Sequence, residues 1–80
     1  MDQEERLNEI IKQLHMNNCR VTNQRRLLLE IILEHEHASC KEIFYEAKKR
    51  NVNIGIATVY RTIQLLQDLG LIRKQMKIQI

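Results

Sequence analysis

Glycine occurs only twice in this 80-residue chain, at positions 55 and 70, and proline does not occur at all. That scarcity removes most of the residues that break or bend a helix, so the chain is steered towards helices joined by short turns. The two glycines also frame one stretch. Residues 54–72, IGIATVYRTIQLLQDLGLI, read as an amphipathic helix with a marked start and a marked stop. At helical spacing Val59, Ile63, Leu66 and Leu69 gather on one side, a stripe that faces a core. Ala57, Tyr60, Arg61, Gln64, Gln67 and Asp68 fall on the other. Gly55 suits the N-cap and Gly70 the left-handed residue that ends a helix. The first half of the outer face carries Thr58, Tyr60 and Arg61 and no acid. A helix N-terminus with such a face suits an anion.

Upstream, three further helices are predicted. Residues 3–15 carry Leu7, Ile10, Ile11 and Leu14 at i, i+3, i+4, i+7 spacing, with Asp2 as N-cap and acids in the first turn. Met16-Asn17-Asn18 closes that helix, since asparagine tolerates the left-handed cap better than other residues with a side chain. Thr22 is the expected N-cap of a second helix over 23–35. Its Leu27, Leu28, Leu29, Ile31, Ile32 and Leu33 surround most of the circumference, which places it at the centre of the core. Its basic end, Arg20 through Arg25 and Arg26, must then emerge at one edge. Arg26 shares a stripe with Glu30 and Glu34 and reads as a surface ion-pair residue. Ser39-Cys40-Lys41-Glu42 is a capping box and starts a third helix ending near Arg50. Its inward stripe is Cys40, Ile43, Phe44 and Ala47, with Lys41, Lys48, Lys49 and Arg50 outside. Asn51 to Asn53 form a short polar turn into the fourth helix. After Gly70 the pattern changes to period two, with Ile72, Met76, Ile78 and Ile80 alternating with polar residues, which reads as a strand.

The charge sorts by position. Residues 1–16 carry a net −2 and residues 17–80 a net +5, so an acidic head precedes a basic body. A basic body is a modest signal for a nucleic-acid partner. No apolar run approaches the ~20 residues that a membrane span needs. The acidic N-terminus lacks a signal-peptide pattern, so a cytoplasmic protein is expected. Cys19 and Cys40 lie far apart with no C-x-x-C, which fits two reduced thiols. No Ser/His/Asp order, phosphate-binding glycine loop or paired-carboxylate cleft can be made out, so no enzyme is expected. His35-x-His37 with Cys40 nearby could supply metal ligands. Spacing alone favours two solvent-side histidines and a core cysteine, because zinc wants four N or S ligands and no second cluster is present.

Three motifs in order and spacing give the chain a resemblance to a known family. ATVYRTI followed by LGLI resembles the recognition helix of the ferric uptake regulators, bacterial metal-responsive repressors. RVTNQRRLLLEIIL (20–33) is similar to that family's R-x-T-x-x-R-x-x-I-L segment. His37, Ser39, Glu42 and Ile43 match its H-x-S-A-x-E-I segment, with Cys40 where alanine is usual. The resemblance covers roughly residues 10–75 and only the family's N-terminal, DNA-binding half. It implies a mainly α fold, a winged helix-turn-helix of four helices plus a truncated β wing, with the wing incomplete after about residue 71. In this reading residues 1–80 form one winged-helix domain, without the family's C-terminal dimerisation and metal-binding half.

The function implied is sequence-specific binding of double-stranded DNA, as the operator-reading part of a metal-responsive transcriptional repressor. The resemblance places Tyr60 and Arg61 against thymine methyl groups and phosphates of the major groove, and Arg20 in the minor groove of A/T-rich sites. The physics agrees, since a phenol ring offers apolar contact to a thymine methyl and narrow A/T minor grooves attract arginine. Thr22 and Arg25 on the same basic edge, and Thr58 beside Tyr60, complete the candidate DNA contacts. His37 matches a histidine that helps hold the family's regulatory metal, in an otherwise incomplete site. No cofactor is therefore expected in these residues, although the family uses iron, zinc or manganese. No membrane partner is expected. A homodimer is expected only with the missing half, and the free strand edge of residues 72–80 could pair with another chain. The competing expectation, from another class, is a winged-helix module that docks protein without binding DNA.

Overall fold

The computed structural model describes residues 2–36 and 38–72. It contains four helices in this order: α1 (Gln3–Met16), α2 (Asn23–Glu34), α3 (Cys40–Lys49) and α4 (Ile56–Asp68). Each begins where local chemistry favours a start. Asp2 accepts a hydrogen bond from the Glu5 N–H at 2.8 Å, and Thr22 accepts one from the Arg25 N–H at 3.2 Å. Before α3 the capping box closes in both directions: the Glu42 N–H donates to Ser39 Oγ and the Ser39 N–H to Glu42 Oε1. These side chains satisfy N–H groups that have no partner inside a helix. Gly55 caps α4 with no side-chain bond at all.

Three of the helices end alike. After α1, α3 and α4 the chain turns through a left-handed residue: Asn18, Asn51 and Gly70, with φ of 60°, 60° and 71°. In each case the next N–H reaches back five residues: Cys19 to the Leu14 carbonyl at 2.8 Å, Val52 to Ala47 at 2.9 Å, Leu71 to Leu66 at 2.8 Å. This double closure satisfies carbonyls that would otherwise be orphaned. It also turns the following side chain inwards. Val52 is buried, and Cys19 and Leu71 pack against the core. The Asn51–Asn53 turn, expected to be polar, therefore holds an apolar anchor at its centre.

The main packings run from α1 to α2, α2 to α3 and α3 to α4. Leu14, Leu28, Leu29, Ile31, Ile43 and Ile63 are among the fully buried side chains, so the core is aliphatic as expected. Burying each such side chain contributes ~1.5–3 kcal/mol. Phe44 is only half-buried and carries the Lys48 ammonium over its ring, 5.2 Å from the centroid.

Four expectations are corrected or left aside. Leu27 is 43% exposed, so α2 is apolar on a wide face and not all round. Gln67, placed on the outer face of α4, is buried, as is Thr62. Gln67 follows buried Ile63 by one helical turn and so shares its side. The Thr62 hydroxyl resolves its own burial by donating to the Thr58 carbonyl at 2.8 Å. Arg26 forms no ion pair among the described residues, and Glu34 pairs with Arg50 of the α3 C-cap at 2.6 Å. The described residues contain no strand, and the expected wing falls on residues 73–80, outside them.

Candidate nucleic-acid interface

Two edges carry the residues singled out as DNA contacts. The first is the segment entering α2. Arg20 is exposed, and its carbonyl accepts a hydrogen bond from Arg25 Nη1 at 3.0 Å. Thr22 is engaged as the N-cap of α2, its hydroxyl oxygen on the Arg25 N–H. Thr22 and Arg25 thus hold the backbone of this edge, while the Arg20 guanidinium makes no hydrogen bond or ion pair among the described residues. Next to them the Gln24 side chain crosses to another part of the fold. Its Oε1 accepts from the Asn53 N–H at 3.1 Å, in the turn that leads into α4.

The second edge is the start of α4. No acid lies in its first turn, and Gly55 supplies no capping oxygen, so the helix N-terminus keeps its positive end outward. Ala57 and Arg61 are exposed and Thr58 is half-buried. Tyr60 is half-buried and packs against the core cluster. One side of the phenol is therefore fixed by the protein, and the rest is available to a partner. One turn further on, Gln64 Nε2 donates to Asp68 Oδ1 at 3.0 Å, so the acid of α4 is tied at the opposite end of the helix.

No group of three or more His, Cys, Asp or Glu side chains among the described residues could hold an ion. Cys40 is fully buried, and burial pushes its thiol pKa up. His35 is exposed at the end of α2, with Nε2 3.8 Å from Glu34. His37, the candidate ligand, lies outside the described residues. Cys19 and Cys40 are both free thiols.

Sequence reasoning missed the roles of two polar residues, one joining these edges and one away from them. Gln24 sits in the first turn of α2, where periodicity assigns only a solvent face. Arg50 was read as an outer residue of α3, but its guanidinium bridges Glu34 and Glu46, at 2.6 and 3.2 Å. The Arg50 hydrogen bond is the main reason the Glu34 carboxyl titrates below its ordinary range, helped by the charge of Arg50 and, less, by His35. Neither residue has a motif. Each is defined by a partner distant in the chain.

A capped helix, a short turn anchored by Val52, and a further helix starting on a bare positive end make this a mainly helical domain of four helices among the described residues. The comparisons narrow that class. The sequence model of the ferric uptake regulator family matches residues 16–79. The ferric uptake regulation protein of Bacillus subtilis is 38% identical over 73 residues, which is 89% of this chain and 49% of that protein. The ferric uptake regulation protein of Brucella suis is 39% identical over 64 residues, 79% of this chain and 45% of that protein. The peroxide-responsive repressor PerR of Staphylococcus saprophyticus is 31% identical over 72 residues, 89% of this chain and 49% of that protein. The chain belongs to the ferric uptake regulator family. It spans about half the length of the curated relatives it matches. No solved structure matches it. The relatives carry the names of regulators and not of enzymes, and no described helix is long and apolar enough to cross a membrane.

Proposed function

We propose that this chain is the operator-reading domain of a metal-responsive transcriptional repressor and binds A/T-rich double-stranded DNA in the cytoplasm. The observation that carries the reading is the start of α4: an acid-free, uncapped helix end with Arg61 exposed and Tyr60 half-buried beside it. In this reading α4 enters the major groove. Tyr60 meets a thymine methyl, and Thr58 and Arg61 approach phosphates at the groove edge. Arg20 reaches an adjacent minor groove, while Thr22 and Arg25 keep its backbone in place. Two half-sites require two copies, so the regulator acts as a dimer. Iron, zinc or manganese is the regulatory metal, and His37 would be one of several ligands.

A titration with fluorescent duplexes tests this. A single copy of the chain is expected to bind random DNA weakly, with Kd roughly 10⁻⁴ to 10⁻⁶ M at physiological salt, and an A/T-rich duplex more tightly. Arg61→Ala should weaken binding to every duplex alike and reduce the salt slope by about one. No detectable binding to any duplex at low salt would refute the proposal and leave protein docking as the role of this surface.

A further inference from the structure

The two edges are far apart in sequence, yet one side-chain bond joins them. Gln24 lies in the first turn of α2, and Asn53 lies two residues before the Gly55 N-cap of α4. The Asn53 N–H follows the end of α3, in a turn where no helical carbonyl is in register to receive it. Gln24 Oε1 takes that role at 3.1 Å. Only the amide oxygen can accept here, so the orientation of the Gln24 amide follows from chemistry.

Both ends of this bond are themselves fixed. On the α2 side, Thr22 caps the helix and Arg25 holds the Arg20 carbonyl, so the first turn and the Arg20 backbone move as one piece. On the α4 side, Asn51 is left-handed, Val52 is buried, and the Ile54 N–H closes onto the Val52 carbonyl at 3.0 Å. Among the described residues, the side-chain links Arg6 to Glu36 and both Arg50 and Gln3 to Glu34 join different parts of the fold. Gln24 is thus the side-chain bond that connects the Arg20 edge to the entry of α4.

We infer that Gln24 is a positioning residue that sets the distance between the Arg20 side chain and the start of α4, so that the groove elements they read must lie in one fixed register. This rests on the DNA-binding reading above. DNA offers a ruler for it, because each added base pair moves the next element by about 3.4 Å along the axis. Glutamine is suited to the task by being a neutral acceptor. A carboxylate there could accept the same N–H but would place a negative charge on the edge that faces phosphates.

The test begins by selecting a preferred duplex from a randomised pool with the intact chain. If the wild-type chain selects nothing, the DNA-binding reading itself fails, and this inference falls with it. With a preferred duplex in hand, one base pair is inserted between its A/T-rich minor-groove element and its major-groove element. The insertion should weaken wild-type binding by roughly tenfold, the scale of one lost base contact. Gln24→Met keeps the length and removes the acceptor. It should bind the parent duplex more weakly and show an insertion penalty below about threefold. Gln24→Glu should bind every duplex more weakly yet keep the wild-type penalty, because the acceptor remains. The Asn53 amide should exchange faster in Gln24→Met and not in Gln24→Glu, with helix content unchanged in both. A Gln24→Met chain that selects the same duplex with an undiminished insertion penalty would overturn the inference. So would an equal loss of penalty in Gln24→Glu with the Asn53 amide still protected.

Discussion

The starts of α2 and α4 face the same candidate partner, but their polar residues are used differently. At α2 the threonine caps the helix, Arg25 ties the carbonyl of Arg20, and Gln24 reaches across to Asn53. At α4 the cap is a glycine with no side chain to offer, and Arg61 stands exposed. One edge is internally bonded, with the Arg20 guanidinium left to project. The other keeps its helix end and its donors open. Polar side chains near a binding surface thus divide into those that hold the backbone and those that can reach a ligand. Residue type does not separate them, since Arg20, Arg25 and Arg61 are all arginines and only Arg25 is held.

The largest expected effect comes from removing the ring that straddles both roles. Tyr60 packs partly against the core and is partly open. If the open part meets a thymine methyl, Tyr60→Ala should cost ~1–3 kcal/mol in discrimination between an A/T-rich duplex and random DNA. The salt slope should stay nearly constant, because the phenol carries no charge. A thermal melt alongside separates lost reading from lost packing. A folded Tyr60→Ala chain with unchanged preference would make the phenol structural and move recognition to Thr58 or Arg61.

Next in size is the cap at the held edge. Thr22→Ala removes the acceptor for the Arg25 N–H and should destabilise the fold by ~1 kcal/mol. For a domain this small that corresponds to a fall of about 4–8 °C in Tm, readable by circular dichroism. An unchanged Tm would mean that the Arg25 and Gln24 bonds hold this turn without the cap.

The reverse change sharpens the contrast. Gly55 has an ordinary extended backbone, and a Cβ added there would meet nothing within 4 Å. Gly55→Ser should therefore be accommodated and add a cap, raising stability by only a few tenths of a kcal/mol. It should also weaken DNA binding slightly, since the new hydroxyl would compete with phosphate for the first N–H groups of α4. A gain in stability with no change in affinity would argue that this helix end does not approach phosphate.

Much of this could be read from the chain, because it depends on neighbours in sequence. Asp2, Thr22 and Ser39 as caps, the capping-box Glu42, Asn18 and Gly70 as helix ends, and the aliphatic stripes all follow from spacing of a few residues. What escaped depends on how helices meet. Leu27 is exposed because the packed neighbours cover only part of α2, and Gln67 is buried because the covered arc of α4 is wider than its apolar stripe. Val52 looked like part of a polar turn because the left-handed Asn51 that swings it inward lies among asparagines with equal claims. Of the candidate contacts, Arg20, Thr58, Tyr60 and Arg61 occupy the two edges, and Thr22 and Arg25 support one of them. Gln24 gave no local sign, since its partner is 29 residues away.

The smallest expected effect belongs to the ion-pair cluster away from both edges. Arg50 holds Glu34 and Glu46, and its hydrogen bond depresses the Glu34 pKa, with His35 and a Gln3 hydrogen bond contributing less. A carboxyl whose pKa is lower in the folded state than in the unfolded chain stabilises the fold above its unfolded value, near pH 4. That contribution is lost as pH falls through the depressed folded value. Stability should therefore decline below about pH 4 more steeply in the wild type than in Glu34→Gln, which has no charge to lose. The pair is largely open to solvent, so screening keeps the difference small, and 1 M salt should shrink it further. The edges should not respond, because neither Arg20 nor α4 touches this cluster through any side-chain bond described above. Melts of both proteins between pH 6 and 3 that run parallel would show that Arg50 contributes nothing to stability through Glu34. A matching change in DNA preference would instead mean that the cluster and the edges are coupled, against the division drawn here.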